Sequence, residues 1–208
     1  LGAGGCVSSL PRGEPIALDA SARARLRSLP AHSFEVVQTV TFNLRGRGFS
    51  GFGVTHVDPQ KRAFEASCMT PQGLTLFDLA GRGDVLETCR VMPELERLGD
   101  VGTTIAQDIR HVFFDNQPDD KAVWYEKDGD WTAVSLRTGG KLIHHFSAKD
   151  GRLVEKVWIT NQGGREWSVA YSDYDADGPQ KIVLRNRHFR YAYTLTMRIK
   201  EWSSGKIR

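Results

Sequence analysis

Three aspartates form the most chemically suggestive spacing in this sequence. Asp173, Asp175 and Asp177 alternate before Gly178, as the first carboxylates of a calcium-binding EF-hand loop do. Such a loop also needs a bidentate glutamate at its twelfth position, and here that position is Leu184. The flanking segments have the character of strands. We therefore expect a solvated acidic hairpin turn rather than a metal site.

The histidines do not form a recognisable catalytic or metal-binding pattern. His144 and His145 are adjacent, so in a strand they point to opposite faces and cannot bind one metal together. His111 lies in a segment with helical spacing, where a surface histidine is the usual outcome. The sequence has no nucleophile elbow, zinc-protease motif, P-loop or dinucleotide fingerprint. We expect no enzymatic activity, no cofactor and no metal.

Two of the three cysteines fall in predicted strands. Cys68 and Cys89 belong to no C-x-x-C motif. A predicted strand at 74–80 separates them, which places them about 10 Å apart at standard strand spacing and disfavours a disulfide. A different strand order would still allow a bridge.

The third cysteine, Cys6, follows a run of small residues. The sequence begins without methionine, as if a preceding segment had been removed, and residues 1–6 resemble a bacterial lipobox with Ala3 where leucine is usual. We expect Cys6 to carry a lipid, residues 1–15 to be a lipobox remnant and flexible tether, and residues 16–208 to form one half-barrel domain. Val7 in place of aspartate favours, by that resemblance, the outer membrane. The alternative is a glycine-rich leader with an incidental cysteine.

Most of the chain shows the period of two that is typical of strands. Tight turns at intervals of 8 to 12 residues predict consecutive hairpins and thus an antiparallel meander. The first turn is predicted at 45–48. The predicted strands lie at 34–44, around Phe52 and Val54, and at 64–69, 74–80, 85–91, 122–127, 131–137, 141–148, 153–160, 166–174, 181–187 and 190–202.

Two segments have helical spacing instead. Asp19 is a plausible N-cap for a helix over 20–29, and apolar residues recur every three or four positions over 98–114. A sheet of a dozen strands cannot stay flat, because twist accumulates from strand to strand. We predict a mainly β (α+β) fold, in which a strongly curved antiparallel sheet of about 11–12 strands forms a half-open barrel. Both helices would cover its concave side as a lid.

The composition is that of an ordinary globular chain. Of 208 residues, 40% are hydrophobic and 25% are charged, with a net charge of +3. No run of eighteen apolar residues occurs, so no membrane-spanning helix is expected. Lysine and arginine are mixed with acids over most of the chain, and no nucleic-acid-binding motif is present. The nearest thing to a basic patch is Arg185, Arg187, Arg190 and Arg198, which could meet phosphate but in a sheet-rich chain is more typical of a solvated strand face. We expect no nucleic acid as a partner.

A curved sheet beneath a thin helical lid often leaves a space that binds a small ligand. Large apolar residues on the predicted strands are the candidates to line it, although each alone is more often simply part of the core. The predicted cavity-lining residues are Val36, Val40, Phe42, Phe52, Val54, Phe146, Trp158, Trp167, Val169, Tyr193, Leu195 and Met197.

The C-terminal third resembles the closing pattern of the LolA/LolB family. The segments that carry the resemblance are WSVAYSDY at 167–174, GPQKIVL at 178–184 and YTLTMRIKEW at 193–202. The order of elements agrees from Ser33 onward. Residues 70–79 are also similar to a turn and strand of uncharacterised bacterial lipoproteins with that fold. The family comprises the periplasmic lipoprotein carrier and the outer-membrane lipoprotein receptor.

The resemblance implies a function as well as a fold. It implies a protein on the periplasmic side of the outer membrane of a Gram-negative bacterium, peripherally associated through the lipid on Cys6. Such a protein would bind an acyl chain or lipoprotein lipid in an apolar cavity, with lipoprotein or lipid transfer as its role. In the receptor a protruding apolar loop is linked to membrane insertion, whereas here the matching turn at 70–73 is short and polar. The alternative is a scaffold lipoprotein of the envelope, with a self-filled core, that recruits a protein at a sheet edge.

Overall fold

A computed structural model describes residues 11, 13–44, 47–97, 99–187 and 192–204. Within these residues the chain forms three helices, α1 (Ala20–Arg25), α2 (Pro93–Glu96) and α3 (Val101–Phe113). It also forms twelve strands: β1 (Phe34–Leu44), β2 (Arg47–Asp58), β3 (Ala63–Met69), β4 (Thr75–Arg82), β5 (Val85–Val91), β6 (Val123–Lys127), β7 (Asp130–Arg137), β8 (Gly140–Phe146), β9 (Leu153–Thr160), β10 (Arg165–Tyr174), β11 (Pro179–Asn186) and β12 (Tyr193–Ser204).

All twelve strands belong to one antiparallel sheet. Successive strands pair within β1–β5 and within β6–β12, and the two series meet where β1 pairs with β12. The edges are β5 and β6, which do not pair, so the sheet is open. The segment between these edges carries α2 and α3. The prediction of an open, curved antiparallel half-barrel is therefore confirmed.

The helices cover one face of this sheet. Ala22 of α1 and Val112 of α3 belong to the same buried cluster as the inward side chains of β1 to β4 and β8 to β12. A small second cluster around Ile143 and Val157 lies on the opposite, convex face. The main core is thus the space between the concave face and the helices. None of the helices in the described part of the chain is long and apolar enough to cross a membrane.

The helix boundaries differ from those predicted, for local reasons. Asp19 caps α1 as expected, with its carboxylate accepting from Ala22 N–H at 2.7 Å. The helix ends at Arg25 rather than at residue 29, because Arg27 bridges to the segment around Gly151 with a hydrogen bond of 2.8 Å. Helix α3 starts at Val101 and not at residue 98. The short helix α2 was not predicted. Two residues of the first predicted turn, Arg45 and Gly46, lie outside the described residues.

The C-terminal end of α3 is fixed to the sheet by side chains. The last carbonyls of a helix have no partner within the helix, so they need donors from elsewhere. Four consecutive carbonyl oxygens accept here, from Tyr171 Oη to Val112 (2.7 Å), Asn116 Nδ2 to Phe113 (2.6 Å), Lys156 Nζ to Phe114 (2.6 Å) and His144 Nε2 to Asp115 (2.8 Å). Three of these donors come from β8, β9 and β10, so the helix end is attached to three neighbouring strands.

Burial lowers the pKa of two of these donors. It lowers the pKa of His144 to about 4, so the ring is neutral at neutral pH and donates through Nε2–H. It also lowers the pKa of Lys156 to about 7, although the nearby Asp115 carboxylate favours the charged form. A positive charge at a helix C-terminus is favourable, because the helix dipole presents its negative end there.

Removal of one of these bonds should destabilise the protein. Tyr171→Phe leaves the buried Val112 carbonyl without its donor, so the free energy of unfolding should fall by roughly 1–3 kcal/mol. Tyr125→Phe is the matched control. Tyr125 lies on the convex face and makes no side-chain hydrogen bond among the described residues, so its loss should change stability by less than about 0.5 kcal/mol. Urea unfolding of both variants measures this, and equal effects would contradict the anchoring role.

Candidate functional site

An apolar cavity of about 180 Å³ lies between α3 and the concave face of the sheet. Its walls come from five adjacent strands of the sheet, β4, β3, β2, β1 and β12. Its roof is α3 together with the segment before that helix. The described residues that line it are Gln38, Val40, Phe42, Phe49, Gly53, Thr55, Ala66, Ser67, Cys68, Phe77, Leu95, Gly99, Asp100, Val101, Thr104, Ile105, Asp108, Ile109, Val112, Tyr193, Leu195 and Met197.

The cavity depends on missing side chains in β2. Gly51 and Gly53 occupy inward positions of this strand, where other strands place large residues. The space beside Gly51 is filled, since a Cβ there would lie 2.7 Å from Cys68 Sγ. Beside Gly53 the nearest atom to such a Cβ would be 3.4 Å away, which is an ordinary contact. The volume that a side chain at position 53 would occupy is therefore part of the cavity.

The cavity has a closed end and an open end. Along the inward face of β1, exposure rises from 0% at Val36 to 4% at Gln38 and 8% at Val40, and Phe42 is only half-buried. The residues before α3 and its first turn line the cavity as well. We infer that the mouth lies near Phe42, beneath the N-terminal part of α3. The closed end then lies near the anchored C-terminus of the helix.

The structure divides the predicted cavity residues into groups. Five of the twelve line the cavity, namely Val40, Phe42, Tyr193, Leu195 and Met197. Val36 and Val169 are fully buried in the core. Phe146, Trp158 and Trp167 lie under the other half of the sheet, where both tryptophans line a polar groove and Phe146 lines a smaller one near α1.

Phe52 and Val54 require a correction. They were expected on the cavity side because they are the large apolar residues of their strand. Neighbouring residues of a strand face opposite ways, and β2 turns Gly51, Gly53 and Thr55 inward. Phe52 and Val54 therefore lie on the convex face, where Phe52 is 51% exposed.

The polar residues of the cavity were missed by sequence reasoning, and Asp108 is the most notable. It is 4% exposed, and its carboxylate accepts from Tyr193 Oη at 2.7 and 2.8 Å and from Asn186 Nδ2 at 3.2 Å. Burial raises the pKa of Asp108 to about 7, although these two hydrogen bonds act to lower it. A signal was available, because Asp108 is spaced three residues from Ile105 and four from Val112, on the apolar stripe of α3.

The cysteines behave as the predicted strand order requires. Cys68 is buried on β3, Cys89 is exposed on β5, and both are free, with β4 between them. Burial raises the pKa of the Cys68 thiol to about 11. Cys6 and the proposed lipid attachment lie outside the described residues.

The acidic turn and the paired histidines have structural partners. The Asp175 carboxylate accepts from the backbone N–H of Asp177 at 2.9 Å and of Gly178 at 3.0 Å, which lowers its pKa. His145 Nδ1 lies 2.9 Å from Thr132 Oγ1, on the face opposite His144. Across the residues with described positions, no group of three or more histidine, cysteine, aspartate or glutamate side chains could hold a metal ion.

Asp108 should make the protein less stable as the pH rises. Its pKa is about 7 in the folded state against an ordinary 3.8, so the folded chain keeps a proton that the unfolded chain releases between about pH 4 and 7. Asp108→Asn cannot titrate, and relative to it the wild type should lose up to roughly 4 kcal/mol across this window. Denaturant unfolding of both proteins at each pH gives the difference in their free energies of unfolding. The contribution of His144, whose lowered pKa makes stability rise with pH, is the same in both proteins and drops out of this difference. A difference that stays constant with pH would contradict the expectation.

Comparisons with known proteins identify the fold. No protein-family model and no curated protein matches the sequence. Among solved structures, the chain is similar to a LolA superfamily protein from Nitrosomonas europaea, with a TM-score of 0.58, 10% identity and coverage of 93% of this chain and 96% of that one. It is similar to a putative outer membrane lipoprotein-sorting protein domain from Vibrio parahaemolyticus (TM-score 0.53, 8% identity, 88% of each chain). It also resembles a DUF1329 family protein from Desulfovibrio piger (TM-score 0.54, 7% identity, 88% and 89%). The chain therefore has a LolA/LolB-like fold.

Proposed function

We propose that the protein binds an acyl chain, or the lipid part of a lipoprotein, in the cavity beneath α3. The observation that carries this proposal is the cavity itself, which is almost entirely apolar. Its mouth, as inferred above, lies beneath the N-terminal part of α3. A fold shared with a protein described as a lipoprotein-sorting domain supports the same ligand class. Lipoprotein or lipid transfer in the periplasm is the role that fits both the apolar cavity and the shared fold.

The size of the cavity limits what it holds as it stands. Its volume of about 180 Å³ is little more than the roughly 150 Å³ of an engineered cavity that binds benzene. Pockets for drug-sized ligands are typically about 300–1,000 Å³. The present cavity therefore accommodates a short stretch of one chain. A longer chain requires α3 to move outward.

Energetics favour long chains and therefore a moving helix. Burying a methylene contributes roughly 0.8 kcal/mol, and micromolar affinity requires roughly 8 kcal/mol. About ten methylenes must then be buried, even before the entropy lost on association is subtracted. Three hydrogen bonds from β8, β9 and β10 hold the C-terminal end of α3, so the outward movement would take place at its N-terminal half.

No catalytic step is part of this proposal, and no cofactor is required. Cys68 is the nucleophilic side chain that lines the cavity, and its raised pKa keeps the thiol protonated at neutral pH, whereas the thiolate is the reactive form. Binding by burial of methylenes needs no polar chemistry.

Locking α3 to the sheet should block binding of long chains. A side chain at Gly102, in the first turn of α3, would press directly against Cys89 Sγ on β5. In Gly102→Cys an oxidant should join the two thiols and hold the N-terminal half of the helix down. The oxidised protein should not bind palmitate, and reduction should restore binding in the same sample.

The control for the lock is Gly102→Cys combined with Cys89→Ser. This variant cannot form the bridge, so oxidation should not affect its palmitate affinity in a fluorescence titration. If the locked protein binds palmitate as tightly as the reduced one, α3 does not gate the cavity. If none of the forms binds, the scaffold function replaces the carrier function.

Anchoring through Cys6 is a separate part of the proposal. When the protein is expressed with a lipoprotein signal peptide, it should fractionate with the outer membrane and incorporate labelled palmitate. Cys6→Ser should be soluble and unlabelled, because one residue supplies the attachment site. A wild type that remains unlabelled would remove lipid anchoring while leaving cavity binding intact.

A further inference from the structure

We propose that Gln38 selects ligands that carry a hydroxyl group in the part of the molecule that the cavity buries. This inference rests on the proposed function for the occupancy of the cavity and goes beyond it in naming the preferred chemistry. The ligand class is an otherwise apolar chain with one neutral hydroxyl near its buried end.

Gln38 has an unsatisfied polar atom at the cavity wall. The side chain is 4% exposed, and its Nε2 donates to Thr55 Oγ1 at 3.1 Å. Among the residues that the structure describes, no group donates to the buried Oε1. Leaving a buried acceptor without a partner is costly, and most buried polar atoms in proteins are paired. A ligand that supplied the partner would remove this cost.

A hydroxyl group satisfies Gln38 whichever way its amide is oriented. The oxygen and nitrogen of a glutamine side chain are distinguished by their hydrogen-bond partners. In the reverse orientation, Thr55 donates to Oε1 and the amide N–H group is left over. A hydroxyl both donates and accepts, whereas a carbonyl or a carboxylate only accepts. Among these groups, the hydroxyl is therefore the one that fits both arrangements.

There is room for a ligand atom beside the amide. Gly53 is its neighbour on β2, and a Cβ at that position would lie 3.5 Å from both Gln38 Cγ and Nε2. That Cβ is absent, so the space next to the amide belongs to the cavity. With its Cγ and Nε2, Gln38 thus borders the volume that a ligand would fill, and a ligand hydroxyl there reaches the unpaired Oε1 once the amide turns toward it.

The position of Gln38 fixes where on the ligand the hydroxyl must be. Gln38 lies near the closed end, and Phe42, near the mouth, is four residues away along β1, or roughly 13 Å at strand spacing. A charged head group at the mouth is therefore far from the amide. The hydroxyl that reaches Gln38 belongs to the buried end of the chain, not to the head group.

Apart from the bond to the buried Thr55 hydroxyl, the packing of β1 gives no reason for a glutamine here. The other inward residues of β1 with described side chains are Phe34, Val36, Val40 and Phe42, all of them apolar. An apolar side chain at position 38 would avoid the cost of burying an amide. The pairing of β1 with β12 also shifts register between Val37 and Gln38, and such irregularities are common beside functional sites.

Matched chains test this inference in the full chain carrying Cys6→Ser. Fatty acids of increasing length are titrated against ω-hydroxy fatty acids of the same length. In a purely apolar cavity the buried hydroxyl weakens binding by about tenfold or more. In the wild type, at the length where the chain end reaches Gln38, the hydroxylated chain should bind at least as tightly as the plain one.

Gln38→Met keeps the length of the side chain and removes its polar atoms. It should bind the hydroxylated chain about tenfold more weakly than the wild type does, while affinity for the plain chain stays within about twofold. Thr104→Val is the matched control, because Thr104 lines the same cavity but its hydroxyl already donates to Asp100 O at 2.8 Å. This control should leave the preference unchanged.

The possible outcomes separate the two proposals. If the wild type disfavours the hydroxyl at every length while plain chains bind, the inference about Gln38 is overturned and the carrier function stands. That comparison needs only the wild type, so it holds even if Gln38→Met fails to fold. If neither series binds, the proposed function fails and this inference fails with it.

Discussion

The C-terminal end of α3 is attached to the sheet by side chains, and this attachment determines where the helix lies over the concave face. Tyr171, Lys156 and His144 donate to three backbone carbonyls at and just beyond the end of the helix, which have no partner within the helix. The bonds come from three adjacent strands, so they set both the position and the direction of the helix. A helix held at one end over an open, curved sheet covers a space without filling it.

The helix divides the concave side into two chemically different spaces. On one side lies the apolar cavity, against β1 to β4 and β12. On the other side lies a polar groove, which is lined by Arg62 and Arg110 and by the tryptophans Trp158 and Trp167. Asp108 stands at the partition, because it lines the cavity while its partner Asn186 lines the groove. The Asp108 carboxylate thus ties the middle of α3 to β11 and β12. The part of the helix that precedes Asp108 is the part that covers the mouth.

Local sequence patterns were enough to predict the twelve strands and two of the three helices of the described residues, but not α2 and not all of the relations between elements. Period-two alternation and turns such as Asp128-Gly129 gave the strands and hairpins, and apolar spacing gave α3. Choosing cavity residues by their size failed for Phe52 and Val54. Side chains alternate between the two faces of a strand, and in β2 the odd-numbered positions face the cavity. Gln38 and Asp108 were missed because the cavity was expected to be purely apolar. The roles of Lys156 and His144 have no local signal, since their partners are backbone carbonyls distant in sequence.

If the ligand binds in the space beside Gly53, a side chain that fills this space must block binding. Gly53→Leu should place a side chain in the cavity, with Val54→Leu on the convex face of the same strand as the control. The measurement is the dissociation constant for palmitate, with thermal unfolding as the check on folding. We expect Gly53→Leu to stay folded and lose palmitate binding, and Val54→Leu to bind palmitate as the wild type does. Unchanged palmitate affinity in a folded Gly53→Leu protein would contradict this expectation.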